Sequence, residues 1–132
     1  MVSSSRVIAF VLCLSLPTAL LAEEPVDYLQ QVKPLLASRC GKCHGAETQK
    51  SGLRVDTAAL LRSGGDSGPA LSDDPREPAL LVQALTAAGG VSKMPPKREP
   101  ELTAAEVALI TRWVVEGAKA PADETVATRQ RR

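Results

Sequence analysis

Histidine is nearly absent from this chain of 132 residues, which has only one, at position 44. A second imidazole for acid–base work is therefore excluded, and any metal site must draw most of its ligands from elsewhere. Aromatic residues are almost as scarce, with one Phe, one Tyr and one Trp. A domain built from such a chain lacks the bulky rings that usually fill a core. No run alternates apolar and polar residues as a strand would, which argues against a thioredoxin-like βαβ unit. Neither sign of charge dominates, since the formal net charge is +1. There is thus no global attraction to nucleic acid or to an acidic membrane surface.

The chain has three cysteines and two methionines, and their positions divide them. Met1 and Cys13 lie in a segment that reads as an export signal. A polar start with the single charge of Arg6 is followed by an apolar run from Val7 to Ala22, and Glu23-Glu24-Pro25 ends it. This is the three-part layout of a secretory signal peptide, with cleavage expected after Ala22. The run is shorter than the roughly 20 apolar residues that a spanning helix needs. If the leader stayed uncleaved it would serve as an N-terminal membrane anchor. Cys13 is read as an apolar leader residue and not as a lipid anchor. Cleavage leaves a domain at 23–121, a tail at 122–132 expected to be flexible, and fifteen residues of each charge. It also leaves two cysteines, one histidine and one methionine.

Those two cysteines and the histidine form Cys40-Gly41-Lys42-Cys43-His44. The pattern C-x-x-C-H is the attachment signature of a c-type haem. Two thiols three positions apart can bond the two vinyl groups of one haem, and the next histidine is placed to bind its iron. Zinc would need four ligands, and no further cysteine or histidine stands at a marked spacing. A plain disulfide would leave His44 unexplained. The export signal agrees with haem, because c-type haem is attached outside the cytoplasmic membrane.

The rest of the chain reads as helices joined by loops. Asp27 is expected to cap a first helix, with Gln30 as its reciprocal partner. Pro34 kinks or restarts that helix, and Gly41 and Gly45 are expected to relieve crowding against the haem ring. Asp56 is the expected cap of a short helix through Leu60, Leu61 and Arg62 that Gly64-Gly65 ends. The segment 64–75 is expected to be irregular, and its Gly68-Pro69-Ala70-Leu71 is a candidate for the wall behind His44, or else a plain surface turn. The Pro69 carbonyl is the expected acceptor for the second ring nitrogen of His44. Pro78 opens a helix to Ala88, with Leu81, Val82 and Leu85 inward and Gly89-Gly90 at its end. Thr103 and Glu106 make a capping box, with Leu102 and Val107 as a hydrophobic staple. Val107, Ile110 and Val114 form the stripe of this last helix, flanked by Leu109 and Trp113, and Gly117 ends it. Trp113 is expected against the first helix and the haem edge. The tail, with Arg129, Arg131 and Arg132, is expected to be solvated.

Met94 lies in the loop Lys93-Met94-Pro95-Pro96-Lys97 and is the one methionine left after cleavage. A lone methionine is ordinarily core filler. Here the following prolines stiffen the loop, and a soft thioether suits iron opposite His44. Lys42, Lys93, Lys97 and Arg98 would form a basic rim that steers acidic partners, or else are ordinary solvated side chains.

With these stretches in hand, the chain resembles class I–type cytochrome c and, more closely, the planctomycete-type cytochrome c domain. The resemblance covers about residues 26–121. It is carried by Val32-Lys33-Pro34-Leu35-Leu36, the CGKCH motif with Gly45, Ser51 to Asp56, Gly64 to Ala70, Lys93 to Lys97, and the helix with Ile110, Trp113 and Gly117-Ala118. It implies an all-α fold, with small helices wrapped around one covalent haem c. It implies Cys40 and Cys43 as attachment residues, and His44 and Met94 as axial ligands. Such domains often begin longer exported proteins.

The function expected from these residues is one-electron transfer in the periplasm between soluble or membrane-bound redox proteins, without a catalytic site. Nucleic acid and stable membrane insertion after cleavage are not expected. Two alternatives belong to other classes. The haem would serve as the core of an interaction module in a larger exported assembly, or, with Met94 off the iron, as an open-site sensor or peroxidase. A domain of about 95 residues lies where apolar burial is thin, and haem would supply the missing apolar body. Haem-free protein is therefore expected to melt without a cooperative transition in calorimetry. A sharp two-state transition in that form would contradict this reading.

Overall fold

The structure is a computed structural model and describes residues 23–128 apart from Pro75. The leader with Arg6, Cys13 and its cleavage site lies outside the described residues, as do Arg129, Arg131 and Arg132. Among the described residues there are four α-helices: α1 (Lys33–Arg39), α2 (Ala58–Ser63), α3 (Leu80–Thr86) and α4 (Ala104–Val115). A π-helical turn, Tyr28–Val32, leads into α1, and a 3₁₀ turn, Lys50–Gly52, lies between α1 and α2. Among the described residues there is no strand, only isolated bridges between His44 and Gln49 and between Gly65 and Gly68. The architecture is all-α, as the sequence leads one to expect.

Several local details differ from the sequence reading, each for an identifiable reason. Asp27 does cap the first turn, accepting from the Gln30 N–H at 3.0 Å. The reciprocal bond runs from the Asp27 N–H to the Gln31 side chain at 2.9 Å, so Gln31 replaces Gln30 as partner. Pro34 lacks an N–H, and its ring would crowd the carbonyl one turn back. The chain opens into a π turn, with the Lys33 N–H bonded to Tyr28, and α1 restarts with Pro34 in its first turn. Thr57, not Asp56, caps α2, accepting from the Leu60 N–H at 3.1 Å. Asp56 is instead committed to the Arg54 guanidinium. Helix α3 is shorter than 78–88. Pro78 stays outside it, its carbonyl accepting from the Gln83 side chain at 2.7 Å, and Ala87 ends it in a left-handed conformation before Gly89 is reached. Leu81 and Leu85 are buried, but Val82 is only half-buried.

Helix α4 is built as read. Thr103 and Glu106 make both bonds of the capping box, at 3.2 and 2.7 Å. After Gly117 the Ala118 N–H returns to the Trp113 carbonyl at 2.9 Å, and the Gly117 N–H bonds to Val114 at 3.0 Å. This pair is a Schellman ending. The most buried residues of α4 are Ile110 and Trp113, with Val107, Leu109 and Val114 partly buried around them. The Trp113 ring stacks on Tyr28 at 5.1 Å between centroids, and its N–H donates to the Lys119 carbonyl at 2.9 Å. Val32, Leu36 and Leu61 complete the centre of the core.

The tail departs most from expectation. The described residues after Ala118 form no helix, yet Glu124 is held in place. Its carboxylate accepts from the Tyr28 hydroxyl, the Lys33 ammonium and the Ala58 N–H, each at 2.7 Å. Its side chain is 5 % exposed. The Ala127 carbonyl accepts from Arg54 at 2.6 Å, and that of Ala118 from Arg62 at 2.8 Å. The segment therefore ties the π turn to the start of α2. Burial alone would raise the carboxyl pKa of Glu124, but Lys33, Tyr28 and the Ala58 N–H outweigh it and hold the value below the ordinary 4.5. Burial, reinforced by Glu124, holds the Tyr28 hydroxyl well above its ordinary range.

Because the folded-state value of Glu124 is the lower one, its ionised form stabilises the fold above the unfolded value. That contribution is lost as pH falls through the folded value. Glu124→Ala is expected to cost the haem-loaded protein about 2 kcal/mol in urea titrations at pH 7, since it strands three donors. The gap from wild type should narrow below pH 4.5. A variant as stable as wild type at pH 7 would show that the tail contacts carry no weight.

Candidate haem site

The site begins where α1 ends. The N–H groups of Cys40 and Gly41 still bond to Leu36, at 2.8 and 3.1 Å, and the His44 N–H bonds to the Cys40 carbonyl at 2.9 Å. This tight turn brings Cys40, Cys43 and His44 onto one cavity. Its glycines are required by backbone crowding. A Cβ at Gly41 would stand 2.5 Å from the Ala37 carbonyl oxygen, and one at Gly45 would stand 2.3 Å from that of Gly41. The close approach seen here is between turns of the chain itself.

The chain then doubles back on the motif. Gly45 bonds to Thr48 at 2.8 Å, Lys50 to Cys43 at 2.9 Å, and Val55 to His44 at 2.9 Å, all through main-chain atoms. This loop brings the Lys50 carbonyl to 3.1 Å from His44 Nδ1. The expected acceptor, Pro69, is replaced by Lys50, because the 3₁₀ turn places Lys50 beside the ring while Pro69 stays exposed. With Nδ1 as the donor, Nε2 keeps its lone pair for a metal. The neighbours of Pro69 fit the expected wall better, since Gly68 and Ala70 line the cavity.

The cavity has a volume of about 590 Å³, and Leu53, Val55, Leu81, Leu85 and Pro95 supply much of its apolar wall. Met94 lines it too. Its N–H bonds to the Ala84 carbonyl at 2.8 Å, which hangs the loop on α3. Met94 is 38 % exposed and stands outside the buried core cluster, so it does not act as core filler. Cys40 and Cys43 form no disulfide with each other. Burial, and then the nearby Cys43, push the Cys40 thiol up to about 11. Among the described residues no group of three His, Cys, Asp or Glu side chains is arranged to hold a metal ion. A large apolar cavity, two thiols at one wall, an oriented imidazole and a thioether form a donor set that fits haem.

Two further expectations need correction. Trp113 packs on the first helical turn through Tyr28, but it does not line this cavity. It borders a separate cleft of about 290 Å³ with Val26 and Glu116. Two of the four cations of the basic rim are paired. Lys42 Nζ bonds both carboxylate oxygens of Glu99, at 2.8 and 3.1 Å, and Lys93 pairs with Glu101 at 3.2 Å. Lys97 and Arg98 remain exposed. The Lys50 carbonyl and Glu99 are functional-site groups that the sequence reading missed. A backbone carbonyl carries no residue signature, and no spacing marks Glu99 as the partner of Lys42, 57 positions away.

No curated protein and no solved structure matches the chain. Residues 40–98 match the family model described as Planctomycete cytochrome C. The matched segment runs from the first motif cysteine through Met94 to Arg98 and contains most of the cavity wall. This part of the chain, with its C-x-x-C-H motif, is thus similar to the planctomycete cytochrome c family.

Proposed function

We propose that the chain holds one haem c, bonded through Cys40 and Cys43, with His44 and Met94 as its axial ligands. We further propose that it carries single electrons between exported redox partners in the periplasm. The observation that carries this reading is the convergence of those four side chains on one apolar cavity. When bound, haem supplies a one-electron centre. The residues of the chain hold it and tune it. The Lys50 carbonyl fixes the ring of His44, and the apolar wall keeps water from the centre. The thioether of Met94, softer than imidazole, favours the reduced metal and so raises the potential. Occupation of both axial positions leaves no place for substrate, so no catalytic role is assigned. Among the described residues no helix is long and apolar enough to cross a membrane, and the export signal read at 1–22 supports the periplasmic setting.

In a second reading the thioether stays off the metal, which would leave an open position able to bind a gas or peroxide. Visible spectra of oxidised and reduced protein, beside Met94→Ala, separate the two. The electron-transfer reading expects a low-spin wild type with the weak near-red methionine–iron band, which the variant loses. A high-spin wild type that binds carbon monoxide readily would place the open-site reading first.

A further inference from the structure

The segment that carries His44 and the segment that carries Met94 come from distant parts of the chain, and each is stiff within itself. The first is the hydrogen-bonded turn at the end of α1. The second, 93–101, contains Pro95, Pro96 and Pro100. It is closed by the Lys93–Glu101 pair and by a main-chain bond from Glu99 to Pro96 at 2.8 Å. Among the described residues no main-chain hydrogen bond joins residues 40–44 to residues 91–101. What spans them is the ion pair of Lys42 and Glu99, two residues that both line the cavity.

We propose that the Lys42–Glu99 pair is a strap across the cavity mouth, and that both are positioning residues that keep Met94 seated opposite His44. This inference rests on the axial role proposed above for Met94. The geometry supports a bias and not a lock. Nζ reaches both oxygens, so the pair restrains direction as well as distance. The Lys42 side chain is 74 % exposed, however, and exposed pairs are weak and screened by salt. Loss of the strap should therefore leave the fold intact and let the Met94 segment lift more often.

Imidazole, added to the oxidised haem-loaded protein, competes with Met94 for the iron and reads out this lifting. Wild type, Glu99→Gln, Lys42→Gln, the double variant and the charge-swapped Lys42→Glu/Glu99→Lys protein would be titrated at low and high salt. Either single variant should bind imidazole about two- to fivefold more tightly than wild type at low salt. The double variant should gain no more than a single one, and the swap should restore wild-type affinity. The differences should vanish near 1 M salt, where the screening length is about 3 Å. Melting temperatures should not change, which separates positioning from general stability. Unchanged imidazole affinity in both single variants, with the methionine band present in wild type, would overturn the strap alone. If wild type lacks that band, or Met94→Ala binds imidazole no more tightly than wild type, the ligand assignment and the strap fall together.

Discussion

The turn from Cys40 to His44 is the constraint on which the other parts depend. It is tied backwards to α1 through Leu36 and Ala37, and forwards to the returning loop through Lys50 and Val55. Only glycine fits at positions 41 and 45, because any larger residue would meet a carbonyl of the same turn. Held in this way, both thiols and the imidazole face one side. The Lys50 carbonyl is brought to His44 by the same loop, so attachment and ring orientation come from a single local structure.

Around this turn the molecule divides its apolar resources. Tyr28, Val32, Leu36, Ile110 and Trp113 pack together where α4 crosses the first helical turn. The cavity lies against the edge of that core, with Leu81, Leu85, Ala70 and Val55 shared between the two. A chain so poor in aromatics leaves one side for a flat apolar body to complete. Glu124 then staples the π turn to the start of α2. Lys42 and Glu99 pair beside the cavity, and Lys93 pairs with Glu101 across the loop that carries Met94. That side of the molecule is accordingly closer to neutral than its lysine count suggests.

Much of this was legible in the residues because the signals are local. The capping box of Thr103 and Glu106 and the glycine after α4 each act within a few positions, and each takes its expected form, while the C-x-x-C-H spacing brings Cys40, Cys43 and His44 to one cavity. What escaped depends on tertiary contact. Asp56 looks as good a cap as Thr57 until Arg54 claims it. Glu124 lies in a polar stretch without periodicity, and only the packing of Tyr28 and Lys33 around it gives it a place. Pro69 is the more rigid candidate to orient His44, yet the 3₁₀ turn that presents Lys50 has no strong sequence mark. The pairing of the rim lysines is likewise a property of loops meeting in space.

The central claim is that one cavity takes one haem, bonded through Cys40 and Cys43. Intact-protein mass spectrometry of the exported chain under denaturing conditions tests it most directly. The account predicts the mass of the chain without its leader plus a single haem, with the added mass on the peptide that contains Cys40 and Cys43. In a Cys40→Ser/Cys43→Ser protein that added mass should be absent. An exported wild-type chain that carries no covalent haem when produced beside a working haem-attachment system would contradict the account.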